Sequence, residues 1–76
     1  MNEKPPRVTS SQIITVLEKL GFALARQSGS HMIYKSASGR RVTVPFHGSK
    51  TLHPKTLASI LADAELTVDR LRELLR

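Results

Sequence analysis

Carboxylates are missing from the middle of this chain. Glu3 and Glu18 precede Lys19, and Asp63, Glu65, Asp69 and Glu73 follow Ala62, so residues 19–62 carry no negative charge. The same interval holds Lys19, Arg26, Lys35, Arg40, Arg41, Lys50 and Lys55, with His31, His47 and His53 among them. At a formal charge of +6 over 76 residues, this one-signed middle makes a continuous positive field and points to a polyanionic partner. Cysteine is absent, which excludes disulfides and thiolate-bound metal as supplements to the core. Tryptophan is absent too, and Phe22, Tyr34 and Phe46 are the aromatic residues. A chain this short makes one domain at most and needs an economical core. No apolar run approaches the roughly 18 residues of a membrane span, and residues 1–6 lack the apolar segment of a signal peptide. The expectation is a soluble cytoplasmic protein with no membrane partner.

What is present reads as one folded unit behind a tail. Residues 1–7, with Pro5-Pro6, read as a flexible tail, and residues 8–76 as a single domain. Thr9 with Gln12 three residues on is a capping-box pattern, and Ile13, Val16, Leu17 and Leu20 recur on one helical face. Gly21 ends that helix. Residues 22–27 fit a short strand, Ser28-Gly29-Ser30 a turn, residues 31–35 a second strand and residues 36–39 the next reversal. Residues 41–44 form a third strand, with Val42 and Val44 on one side, Arg41 and Thr43 on the other, and Pro45 as its stop. On the second strand, Ile33 argues for burying the face of His31 and Lys35, whereas Met32 and Tyr34 argue for burying the opposite one. Residues 46–52 read as a loop carrying His47, Gly48, Ser49 and Lys50. A second helix starts near Pro54 with an apolar stripe of Leu57, Ile60, Leu61 and Ala64, and Thr67 caps a short third helix through Val68, Leu71 and Leu75. The fold class is α+β: helix, three-stranded antiparallel sheet, helix, short C-terminal helix.

Several pieces together resemble one family. They are Leu20-Gly21-Phe22, then Gly29-Ser30-His31 leading to Tyr34, then Gly39 and Val42-Thr43-Val44-Pro45 with His47, and finally Thr56-Leu57, Ile60-Leu61 and Asp63-Ala64. In this order and spacing the sequence resembles the HicA-type toxins, the small mRNA interferases of bacterial toxin–antitoxin pairs, whose fold is similar to a double-stranded-RNA-binding domain. The resemblance implies a metal-independent endoribonuclease that cleaves mRNA, with His31 as its catalytic acid or base. It also implies a HicB-like antitoxin that covers the active site. Met32 stands where the family often has a second histidine, and Glu65 where a glycine commonly follows Asp-Ala. An αL backbone at Glu65 is strained, so either the strain is accepted there or the helix runs on.

RNA cleavage suits a single well-placed imidazole, because the 2′-hydroxyl beside each phosphate is already a nucleophile. The protein must supply a group that moves a proton near neutral pH, and donors for the charge that builds on the phosphoryl oxygens. Gly29 and Ser30 can offer main-chain N–H groups and a hydroxyl to a phosphate, or serve only the turn. Lys35, Arg40, Arg41, His47 and Lys50 are the candidates for RNA contacts and for assistance to His31; His47 and Lys50 lie just before a helix N-terminus, which favours anions. Tyr34 is either a base-stacking residue or core. Three histidines match the count of a metal site, but their spacing is irregular and no carboxylate lies among them, so no metal or cofactor is expected. The alternative reading is a non-catalytic basic RNA- or DNA-binding module of the same fold.

Overall fold

The computed structural model describes residues 6–47 and 49–76. Residues 1–5 of the expected tail, and Gly48 of the expected 46–52 loop, lie outside the described residues. Thr9 and Gln12 form the capping box in full: the Gln12 N–H donates to Thr9 Oγ1 at 3.2 Å and the Thr9 N–H donates to Gln12 Oε1 at 2.9 Å. Helix α1, Ser10–Lys19, follows. It stops as Gly21 requires, at φ +94°, with the Phe22 N–H bonded to the Leu17 carbonyl and the Gly21 N–H to that of Glu18. That pair of bonds is a Schellman stop.

The sheet runs β1 Ala23–Ser28, β2 His31–Lys35 and β3 Arg41–Pro45, all antiparallel, in the order β1-β2-β3. The first strand starts and ends one residue later than its sequence pattern indicates. Phe22 is drawn into the helix stop and the core, and Ser28 joins the ladder opposite His31 because the turn needs only Gly29 and Ser30. Pro45 ends β3 from within it, paired with His31. This is permitted because β3 is an edge strand, where a missing N–H breaks no ladder bond.

Helix α2, Pro54–Ala64, and helix α3, Val68–Leu74, complete the chain. His53 is the N-cap of α2, its Nδ1 accepting the Lys55 N–H at 3.2 Å, and Thr67 caps α3 in the same way for Arg70. The order helix, three-stranded antiparallel sheet, helix, helix is that of a double-stranded-RNA-binding domain with an added short helix.

The face of the sheet bearing Tyr34, Val42 and Val44 packs with Ile13, Val16 and Leu17 of α1, Leu57, Ile60 and Leu61 of α2 and Leu71 of α3 in one buried cluster. Register decides the question left open by the second strand. Met32 pairs with Val44 and Tyr34 with Val42, so those two turn inward, while His31, Ile33 and Lys35 lie on the opposite face.

Candidate functional site

His31 opens the middle strand, exposed, between Ser28 of β1 and Pro45 of β3. The turn that leads into it has a positive φ, +58°, at Gly29 and not at Ser30, the pattern of a type II′ hairpin turn. A Cβ built on Gly29 meets nothing within 4 Å. Backbone conformation rather than crowding within the chain therefore calls for glycine, and the space beside it is open to a ligand. Ser30 is exposed, and its carbonyl accepts the Phe46 N–H at 2.6 Å. That bond carries the ladder between β2 and β3 past its last strand residues and brings 45–47 alongside the turn.

Ser10 completes this corner, although its sequence context marks it only as the residue after a helix cap. It is fully buried, at 0 % exposure. Its hydroxyl donates to the Pro45 carbonyl at 2.8 Å and accepts the His47 N–H at 3.2 Å. Lys50 belongs to the same end, since its N–H bonds the His47 carbonyl at 3.3 Å. His31, Gly29, Ser30, His47 and Lys50 are thus gathered at one end of the sheet.

The other candidates stand at the far end. Lys35 and Arg41 are a cross-strand pair on the His31 face, and four residues of strand at about 3.3 Å each put Lys35 roughly 13 Å from His31. Arg40 is engaged within the fold: Nη1 donates to the Asp63 carbonyl at 3.1 Å and Nη2 sits 2.9 Å from Glu65 Oε2. With Arg41 and Ser38 it lines an open cleft against Ala62 and Asp63. Tyr34 is buried, at 3 % exposure, and so is a core residue. Burial raises its phenol pKa above the usual 10.0, and the nearby Glu18 carboxylate adds to the rise. His53 is occupied as a helix cap.

Among the described residues no carboxylate is paired with His31. Glu65 pairs with Arg40, Glu73 with Arg70 and Asp69 with Arg72, and the His31 ring has no hydrogen-bond partner among the described residues. Its nitrogens are available to a ligand. Among the described residues no group of three or more His, Asp or Glu side chains could hold a metal ion. No helix among them is long and apolar enough to cross a membrane.

The model of one family, described as the HicA toxin of bacterial toxin-antitoxin, matches residues 10–66 of the 76, well over half of the chain. The chain belongs to the HicA toxin family. The match begins at Ser10 and ends at Leu66, so it takes in α1, the whole sheet, the His31 corner and α2 with its C-terminal stop. Membership gives it the toxin role in a toxin–antitoxin pair and implies an antitoxin partner. No curated protein matches the chain closely enough to add a relative.

Proposed function

We propose that this HicA-family chain is an endoribonuclease that cleaves mRNA, with His31 as its catalytic acid or base. The observation that carries the reading is the exposed imidazole of His31, without a hydrogen-bond partner among the described residues, at the lip of the Gly29-Ser30 turn in a chain of a toxin family. The 2′-hydroxyl attacks its own phosphate, so the chemistry needs no metal-bound water. Gly29 and Ser30 supply polar groups at the corner, and Lys50 supplies charge there. Lys35 and Arg41 extend the positive face along the strand toward neighbouring phosphates. Phe46, 39 % exposed next to Ser30, offers a ring on which a base can stack. The work is cytoplasmic, where mRNA is met, and a HicB-like antitoxin silences it by covering the corner.

Induced expression of the parent and of His31→Ala, scored for growth arrest and mRNA decay, tests the reading. The parent should arrest growth and leave RNA ends with 2′,3′-cyclic phosphate, with cutting that survives EDTA; His31→Ala should do neither. Equal cleavage by the two proteins would remove His31 from the mechanism. Salt-sensitive binding to RNA or DNA without scission, unchanged in His31→Ala, would instead establish a non-catalytic binding module, a reading favoured only by the basic face.

A further inference from the structure

We propose that His47 is the second proton-transfer group of the His31 site, and that buried Ser10 is the positioning residue that places it there. The inference rests on the ribonuclease reading above. Its first support is register. Pairing runs from Lys35 opposite Arg41 to His31 opposite Pro45, and the Phe46 N–H to Ser30 carbonyl bond continues it by one residue. Continued by one more residue past the strand ends, the same register would set His47 opposite Gly29. Alternate residues of a strand share a face, so on that continuation His47 would return to the face of Pro45, which is also the face of its partner His31. The two histidines would then be diagonal cross-strand neighbours, a relation that separates residues by about 7–8 Å. Imidazoles so placed can flank one phosphodiester.

The second support is the Ser10 hydroxyl. In an extended chain successive residues direct their N–H and C=O to opposite edges. Phe46 directs its N–H at β2, so the Pro45 carbonyl and the His47 N–H face the open edge of β3. Both are met there by one side chain, Ser10, which donates to the first and accepts from the second. A hydroxyl can do both at once. Ser10 therefore stands in for a neighbouring strand one residue long, and it ties the Pro45 carbonyl and the His47 N–H to one buried anchor beyond the end of β3. Without it nothing else among the described residues holds the His47 N–H, and the chain is free to turn away at Phe46.

The two rings divide the reaction without any further reagent. One imidazole accepts the 2′-hydroxyl proton as the 2′-oxygen to phosphorus bond forms. The other, protonated, donates to the 5′-oxygen as the phosphorus to 5′-oxygen bond breaks and its electron pair leaves with that oxygen. The products are a 2′,3′-cyclic phosphate and a 5′-hydroxyl, and the protons balance. This supplies the assistance that Met32 cannot give as a neighbour of His31.

The test uses the full chain, a short RNA substrate, and the same RNA with sulfur replacing the scissile 5′-oxygen, a leaving group that needs no protonation. His47→Ala should lower kcat/KM by about 10²–10⁴, the range for one acid or base, and remove one limb of the bell-shaped pH profile. On the sulfur substrate that loss should vanish if His47 is the acid; if His47 is the base, the rescue should appear in His31→Ala. Ser10→Ala, shown by melting to be folded, should lower kcat with little change in KM and keep both limbs. A parent-like rate for His47→Ala overturns the proposal, as does a loss that keeps both limbs and leaves both variants unrescued, which would mark a phosphate contact. A folded Ser10→Ala with parent-like kcat overturns the positioning role. An active His31→Ala defeats the underlying reading, whereas an inert His31→Ala beside a fully active His47→Ala defeats this inference alone.

Discussion

Tyr34 shows how far one side chain's surroundings reach into measurable chemistry. Its phenol is raised above 10.0 by burial, with the Glu18 carboxylate adding to the effect. The folded chain therefore keeps this proton to a higher pH than the unfolded chain does. Between pH 10.0 and the folded value the unfolded state binds fewer protons, so stability is fully present below pH 10 and declines as pH rises through that window. With one tyrosine and no tryptophan in the sequence, tyrosinate absorbance reports the group without interference. Its midpoint should lie above 10.0 in the native protein and return to about 10 in denaturant. Tyr34→Phe should abolish the absorbance change and flatten the part of the stability decline due to this group, as read from urea midpoints. At the same scale His31 and Ser10 are opposites: the proposed catalytic residue is exposed, and the residue that anchors Pro45 and His47 at the same end of the sheet is wholly buried.

The end of α2 is the element under local strain. Glu65 adopts the left-handed conformation, φ 54° and ψ 45°, in which a side chain costs about 1–2 kcal/mol that glycine does not. The helix stops here all the same. The Leu66 N–H reaches the Leu61 carbonyl at 2.8 Å and the Glu65 N–H reaches Ala62 at 3.1 Å. Arg40 braces the stop from the β2–β3 hairpin through Asp63 and Glu65. That ion pair is largely exposed, with side chains 39 % and 70 % accessible, and such pairs contribute about 0–1 kcal/mol. Strain outweighs the pair. Glu65→Gly should raise the urea midpoint, with a gain of up to about 1 kcal/mol, while Arg40→Ala, which removes a carbonyl bond as well, should lower stability by about 0.5–1.5 kcal/mol. Denaturant titration of both variants checks the signs, and a lower midpoint for Glu65→Gly would mean that the Arg40 contact is the stronger term.

Over the whole molecule, charge is sorted by the fold. Carboxylates of α3 and of the α2 stop pair with Arg40, Arg70 and Arg72, while the outward face of β2 and β3 presents Lys35 and Arg41 with no acidic neighbour across the strands. RNA binding by the proposed ribonuclease should therefore weaken with salt. For single strands the slope of log K against log salt is about −0.7 per phosphate neutralised. Replacing both Lys35 and Arg41 with Ala should make that slope shallower by about 1.4 if each residue meets one phosphate, measured on an uncleavable RNA over a salt series. An unchanged slope would place the RNA elsewhere, at the His31 end alone.

Much of this was legible in the sequence because it depends on neighbours along the chain. Thr9 with Gln12, Gly21, Pro54 and Thr67 set helix ends through local hydrogen bonds, and Val42 with Val44 declared the inward face of a strand by alternation. The proposal of His31 draws on the sequence too, on its turn and on the resemblance to a family. Three matters were decided only by tertiary structure, because each depends on what a distant residue satisfies. Parity could not say whether His31 or Tyr34 faced inward until pairing with Val42 and Val44 chose. Glu65 could stop the helix or let it run, and the stop it adopts is braced by Arg40, which lies 25 positions earlier in the sequence. Nothing local singles out Ser10, whose hydroxyl lies between the Pro45 carbonyl and the His47 N–H, more than thirty positions away.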